Sequence, residues 1–298
     1  MAVAVASVAG RSGYRARQQT KSAVMHLLIV VYFVVAVFPF AWIVGMSLKQ
    51  PADVVADPPV ILFTPTLENY EAVLFGRQAA RGEQARTDIP RAFRNSAVIA
   101  IASVVVAMLV GNLGAFALAK LKVPAREWAA FFFLSFRFAP ALAFIIPTFV
   151  VYRTVGLYNT HLGLVVMNQL IAIPLIVWTM RSYYEGIPHD LFESAWIDGA
   201  DIWQTIRNVA MPLAAPGIAA TAILSFIGCW NNFTFPLLLG ARETQTITLA
   251  TITFISYEQV LWGQMAAAAV VTIVPELILA VLVMGYIVRG LTYGAVKE

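Results

Sequence analysis

The stretch from Tyr184 to Pro216 reads YEGIPHDLFESAWIDGADIWQTIRNVAMPLAAP. It carries Glu185, Asp190, Glu193, Asp198 and Asp201 inside a chain that is otherwise mostly apolar. Gly186 and Pro188 mark a turn. Asp190 is predicted to cap a short helix, with Glu193 at the third helical position reaching back as in a capping box. Gly199 suits the helix end, where a left-handed residue is often needed. Asp201 and Gln204 repeat the start signal, and Pro212 and Pro216 are read as stops. The prediction is two short helices meeting at Gly199, set between two apolar spans. The plainer alternative is an ordinary polar loop.

Outward from this stretch the chain is a series of apolar spans. Apolar residues make up 60% and charged residues 12%, about half the charged share of soluble domains. So little charge excludes a water-soluble globule. Six spans are predicted, at 22–48, 95–119, 128–152, 162–180, 214–239 and 263–288. The third is interrupted by Arg137 and bent by Pro140 and Pro147. The fourth holds Pro174, and the sixth holds Pro275 and Glu276. The first span is longer than a signal-peptide core and is read as a retained helix. Residues 1–22 are read as a basic cytoplasmic tail, irregular or lying on the membrane surface. Residues 23–298 are read as one transmembrane domain. Thr66–Tyr70 is predicted to begin a short helix in the polar interval after the first span.

The basic residues orient these spans. With the N-terminus in the cytoplasm, Arg11, Arg15, Arg17, Lys21, Lys120, Lys122, Arg126, Arg181, Arg207, Arg289 and Lys297 lie inside. Among short outer loops only Arg153 and Arg242 remain. Both termini and the Tyr184–Pro216 stretch then face the cytoplasm. The net charge of +4 is read as this topology, not as a nucleic-acid surface.

Glu193-Ser194-Ala195, then Gly199, then Val209-Ala210-Met211-Pro212 resembles the EAA loop of ABC importer permeases. Ser194, Val209 and Met211 are small or apolar replacements within that pattern. Ser47-Leu48-Lys49, Asp57-Pro58-Pro59 and Asn69-Tyr70 resemble the first outer loop of maltose-type carbohydrate permeases. Trp230-Asn231-Asn232-Phe233 with Pro236-Leu237 resembles a signature of that group, as do Arg289–Thr292 and Gly294–Lys297 at the C-terminus. The resemblance covers roughly Ala23 to Glu298. It implies an all-α polytopic membrane protein of about six transmembrane helices, with a cytoplasmic coupling helix between the fourth and fifth. It implies a permease subunit of an ATP-driven, binding-protein-dependent carbohydrate importer in the bacterial cell membrane. The implied partners are a second permease subunit, two copies of a cytoplasmic ATPase and an extracytoplasmic binding protein. It also implies that the coupling loop, about residues 184–213, sits in a groove of the ATPase. On that reading Asp190, Glu193, Ala195, Asp198 and Gly199 fall at the contact, joined by Lys297 and Glu298 of the tail.

No phosphate-binding loop can be built. That motif needs Gly-Lys followed by Ser or Thr, and none of the five lysines, Lys21, Lys49, Lys120, Lys122 and Lys297, follows a glycine. The chain is therefore read as no enzyme: it has no catalytic residues and binds no cofactor or metal, and ATP with Mg belongs to the partner ATPases. Cys229 stands alone, and His26, His161 and His189 show no ligand spacing.

Two sets of residues are candidates for the path. Arg137 lies about nine residues into the third span, and Glu276 about thirteen into the sixth, so at ~1.5 Å per residue both sit near mid-bilayer. A charge there costs roughly 2.5–3.5 kcal/mol or more unless paired or wet. Either the two line a polar cavity or they form a structural ion pair. Trp230, Asn231 and Asn232 suit a sugar, whose hydroxyls meet amides and whose C–H faces meet aromatic rings. The alternative for the asparagines is glue between helices. Ser135–Pro140 resembles a Ser-x-Arg-x-x-Pro run of sugar and polyol permeases, and the particular sugar is not legible. A stand-alone secondary transporter or channel is the competing function, and it predicts inverted repeats that the chain does not display.

Overall fold

A computed structural model describes residues 2–76, 88–138, 141–255 and 260–294. Among the described residues regular structure is helical, apart from one isolated bridge between Ile255 and Val260. The elements are α1 (Ala2–Ser47), α2 (Pro51–Val54), α3 (Glu68–Phe75), α4 (Ile89–Lys120), α5 (Arg126–Ser135), α6 (Ala141–Val155) and α7 (His161–Glu185). They continue as α8 (Asp190–Ile197), α9 (Ile202–Thr205), a π-helical turn (Ile206–Ala210), α10 (Met211–Leu213), α11 (Ala215–Trp230), α12 (Thr234–Leu239), α13 (Ile247–Ile252) and α14 (Trp262–Gly294).

Among the described residues, four helical stretches are long and apolar enough to cross a membrane: Lys21–Ser47, Ile89–Lys120, His161–Glu185 and Trp262–Met284. The other two predicted spans are broken. The third is divided between α5 and α6, with Arg137 in the break; Pro140 lies outside the described residues. The fifth is divided between α11 and α12 at Asn231–Phe233. The N-terminal basic stretch is not an irregular tail, because α1 begins at Ala2 and runs without interruption into the first span. From Lys21 to Trp42 every side chain of α1 is exposed. A helix apolar on all sides and unburied is one that faces lipid or another subunit.

Helices α4 and α7 form the centre. Their contact is close because Gly111 offers no side chain where Ile176 packs: a Cβ there would lie 3.0 Å from the Ile176 Cγ2. Helix α11 closes on α7 in the same way, with Gly217 against the face of Tyr183. Phe116, Ile176, Met180, Tyr184, Trp230 and Ala268 belong to one continuous core shared by α4, α7, α11 and α14. Small residues at such contacts let helices approach where lipid supplies no hydrophobic drive.

Elsewhere, polar groups tie loops to helix ends. The Asn69 amide donates to the Ser47 and Lys49 carbonyls at 3.0 and 2.8 Å. The Asn95 amide donates to the Glu243 and Gln245 carbonyls at 3.0 and 3.1 Å.

Candidate functional site

The Tyr184–Pro216 stretch folds as an elbow hung from the C-terminal ends of α4 and α7. Tyr184 is buried and donates to the Asn112 side-chain oxygen at 2.9 Å. Its ring meets Phe116 edge-on at 5.6 Å. Beyond Gly186 the chain turns, held by Lys120, whose ammonium donates to the Ile187 carbonyl at 2.6 Å. Helix α8 then leaves the bundle. Phe192 is fully buried, tilted against Phe116 at 6.0 Å. The Lys120 ammonium sits 4.8 Å above its ring, a cation–π contact.

Trp196 of the same helix is partly buried against that core, and most of the remainder of α8 faces out. Asp190, Glu193, Ser194, Asp198 and Gly199 are exposed, and Ala195 is half-buried. The large apolar residues Ile197 and Trp203 are 85% and 66% exposed, and Leu191 and Ile202 are exposed beside them. Gly199 has φ of +83°. Its N–H donates to the Trp196 carbonyl, and the Ala200 N–H to that of Ala195, which is the Schellman arrangement. Asp201 and Gln204 form the predicted capping box, with mutual bonds of 2.8 and 2.9 Å.

Two local expectations are corrected. Asp190 does not cap α8: His189 occupies the N-cap position in helical conformation, no side chain caps it, and Asp190 is the first helical residue. Its charge lies in the first turn, where it complements the helix dipole. Pro216 does not stop a helix: it stands in the first turn of α11, where its missing N–H costs no bond. Pro212 lies one residue before the end of the helical stretch Ile202–Leu213 and so does fall at a helix end. Between them the chain bends by 80° from Ile202–Leu213 into α11.

The path candidates separate into three groups. Arg137 is exposed in the break between α5 and α6 and lines a cavity of about 170 Å³ with Phe136, Phe144, Met167, Leu170, Ile171 and Phe235. Glu276 lies elsewhere, on α14, beside the Asn231 side chain. The pairing of Arg137 with Glu276 weighed from the sequence is therefore not formed. Trp230 is 2% exposed and its indole N–H donates to the Thr272 carbonyl at 3.2 Å. Phe226 stacks on it at 5.5 Å and Phe93 meets it edge-on at 5.3 Å. Its faces are occupied by packing, so it offers none to a ligand in this conformation. Asn232 donates to the Asn168 side chain at 2.8 Å, and Asn168 donates to the Ser103 hydroxyl at 3.1 Å. Asn231 is exposed and donates to the Ile227 carbonyl at 3.2 Å. Of the two asparagines, Asn232 links helices and Asn231 faces open space beside Glu276. Lys297, assigned by resemblance to the ATPase contact, lies outside the described residues.

Sequence reasoning passed over Asn112 and Asn168. Their signal was a lone amide within a charge-free span, where a buried partner is expected. It also passed over Lys120 and Phe192, whose contact no spacing announces.

Residues 103–293 match the family described as the binding-protein-dependent transport system inner membrane component. The chain is 34% identical over 285 residues to the trehalose transport system permease protein SugB of Mycobacterium tuberculosis, covering 95% of this chain and 99% of that one. It is 30% identical to the diacetylchitobiose uptake system permease protein NgcG of Streptomyces coelicolor over 262 residues, 86% of this chain and 83% of that one. The fold matches a chain of a bacterial ABC transporter involved in the import of the acidic polysaccharide alginate. There the TM-score is 0.71 at 23% identity, over 90% of this chain and 96% of that chain. The elbow, the broken spans and these relatives define a multi-pass permease component of an ABC transporter. The chain belongs to the binding-protein-dependent transport system inner membrane component family.

Proposed function

We propose that this chain forms half of the translocation path of an ATP-driven carbohydrate importer and receives its power stroke at the elbow. The observation that carries the reading is α8 itself. It is fastened to the bundle by the buried side chain of Phe192 and the partly buried Trp196, and it presents Leu191, Glu193 and Ile197 to the outside, with Trp203 of α9 exposed beside them. Large apolar residues exposed together beyond the end of a span mark a protein contact. A rigid capped helix on such a fastening can carry a push from a partner into α4 and α7.

Under this reading Asp190, Glu193, Ala195, Asp198 and Gly199 lie at the contact with an ATPase, and Lys297 lies near it. The partner ATPases bind ATP and Mg, and this chain hydrolyses nothing. The elbow and both termini are cytoplasmic, in agreement with the basic residues of the short loops. A second permease subunit completes the path and an extracytoplasmic binding protein delivers the substrate. The names of the relatives, trehalose and diacetylchitobiose permeases, support a carbohydrate. Arg137, Asn231 and Glu276 are the proposed path residues. Trp230 and Asn232 hold the helices that carry them.

The test is co-expression with the neighbouring ATPase, second permease and binding protein, read as substrate-stimulated ATP hydrolysis and sugar uptake. Deleting Glu193–Gly199 is expected to abolish both and the co-purification of the ATPase, while membrane insertion persists. An ATPase that still co-purifies in normal yield after the deletion would remove the coupling role.

A further inference from the structure

Beside the elbow lies a cavity of about 910 Å³, between the C-terminal end of α4, the start of α5, the end of α7 at Glu185, and His189 and Trp196 at the two ends of α8. Its wall carries Lys120, Lys122 and Arg126. Facing them are Glu185 and, at the cavity edge, His189. Glu185 is already bonded to Arg181 at 2.7 Å, and the same guanidinium holds Glu127. His189 lies 3.7 Å from Glu193. Glu127 also lies 3.4 Å from the Arg126 Nε, so both carboxylates are engaged by arginines. Four fixed cations, Lys120, Lys122, Arg126 and Arg181, thus stand against the two carboxylates Glu127 and Glu185, leaving net positive charge on the lysine side. Lys122 and Arg126 are exposed, and one of the three donors of Lys120 is used on Ile187. Val123 and Pro124 supply apolar wall between the cations.

Two residues on, Trp128 is 76% exposed at the start of α5. A tryptophan so placed at a span end sits at headgroup depth. The cavity therefore opens where lipid phosphates lie. Ile197 and Trp203, the exposed apolar residues of the elbow, do not line it.

We propose that this cavity seats the phosphate headgroup of an anionic inner-leaflet phospholipid, with Lys122 and Arg126 donating to the phosphate oxygens and Lys120 behind them. Basic pockets between spans on the cytoplasmic side suit such headgroups, and each Lys or Arg near the surface contributes about fivefold in affinity. A lipid held here would bridge the α4–α5 turn to α8, so that membrane composition acts on the elbow. The word inner rests on the orientation proposed above; the binding itself does not.

The experiment uses the full chain with whatever subunits co-purify, in mild detergent with an equimolar mixture of phosphatidylglycerol and phosphatidylcholine. Native mass spectrometry counts the lipids retained. The expected result is preferential retention of phosphatidylglycerol, reduced by about fivefold for each of Lys122→Ala and Arg126→Ala. The charge-preserving pair Lys122→Arg and Arg126→Lys should keep the preference, and millimolar inorganic phosphate should not displace the lipid. Equal retention of the two lipids, or a preference untouched by both alanine variants, would overturn the proposal. Displacement by inorganic phosphate would assign the cavity to a soluble anion instead. Loss of the ATPase from the Lys122→Ala, Arg126→Ala complex would assign it to the subunit contact. Lipid retention is read without transport, so failure of the importer reading leaves this result interpretable.

Discussion

The guanidinium of Arg181 donates to the carboxylate of Glu127, joining residues 54 apart in sequence. Arg181 is nearly buried in the last turns of α7, and Glu127 stands exposed in the first turn of α5. The hydrogen bond from Arg181 holds the Glu127 carboxyl below its ordinary value, with Arg126 adding attraction and desolvation opposing. The sign of the linkage follows. A carboxyl depressed in the folded state stabilises above its unfolded pKa, and that contribution disappears as pH falls through the folded pKa. The α5–α7 tie should therefore be intact at neutral pH and weaken as pH falls below the ordinary carboxyl range. Thermal unfolding of the detergent-purified protein should show an acid-side loss below that range that is smaller in Glu127→Gln. A variant with the same acid slope as wild type would separate Glu127 from the effect.

Phe192 should be the anchor of the elbow. Truncating a fully buried Phe costs about 3–5 kcal/mol in soluble cores, and here it also strips the ring beneath the Lys120 ammonium. Phe192→Ala is expected to free α8 and raise its backbone hydrogen exchange without changing that of the α4–α7 centre. Ile197→Asp, by contrast, should leave exchange unchanged, because that side chain is exposed, and should lower ATPase co-purification. The two variants separate fastening from contact.

The local punctuation of the elbow was legible. Gly199 and the Asp201–Gln204 box need only neighbouring residues, so their spacing carries the structure. Asp190 misled because a carboxylate one residue inside a helix start looks like one at the cap, and only the His189 backbone decides between them. Pro216 misled because proline is compatible with a helix start as well as with its end. The spans were legible from the absence of charge, but the break at Asn231–Phe233 was not. Composition has no means of showing that Asn232 is satisfied by Asn168 of another helix. Trp230 shows the same limit: an aromatic in a polar run suits a sugar or a core, and burial decides.

The Asn232–Asn168–Ser103 chain makes a quantitative prediction. Hydrogen bonds between spans couple by about 0.6 kcal/mol on average and up to ~1.7. A double-mutant cycle of Asn232→Ala and Asn168→Ala, read by unfolding in detergent, should return a coupling within that range. The Asn231→Ala variant paired with Asn168→Ala should return none, since Asn231 bonds to the Ile227 carbonyl instead.

Transport and stability should come apart at Asn231 and Trp230. Asn231→Leu removes an exposed amide beside Glu276, so sugar uptake should fall while the melting temperature stays near wild type. Trp230→Ala opens the core shared by α4, α11 and α14 and loses the bond to the Thr272 carbonyl. It should lower stability by about 3–5 kcal/mol and reduce assembled protein in the membrane. Uptake normalised to assembled protein distinguishes the two, and an Asn231→Leu variant with full normalised uptake would take that residue off the path.

The contact of α11 with α7 turns on Gly217. A Cβ built there would lie 2.5 Å from the Tyr183 Cγ, and 2.6 and 2.7 Å from its two Cδ atoms. Those are the near atoms of the ring, so rotation about the outer bonds gives little relief. Gly217→Ala is therefore expected to push the ring or the helix aside, at a cost of about 1–3 kcal/mol for overpacking. The elbow feels this displacement, because Gly217 lies just beyond the 80° bend that joins it to α11. Tyr183→Ala removes the obstruction, so the double variant Gly217→Ala, Tyr183→Ala should recover stability relative to Gly217→Ala alone. Differential scanning fluorimetry of the four proteins completes the cycle. Recovery identifies the ring contact as what requires glycine at 217; equal destabilisation in both backgrounds would mean that the helix backbone, not Tyr183, sets the requirement.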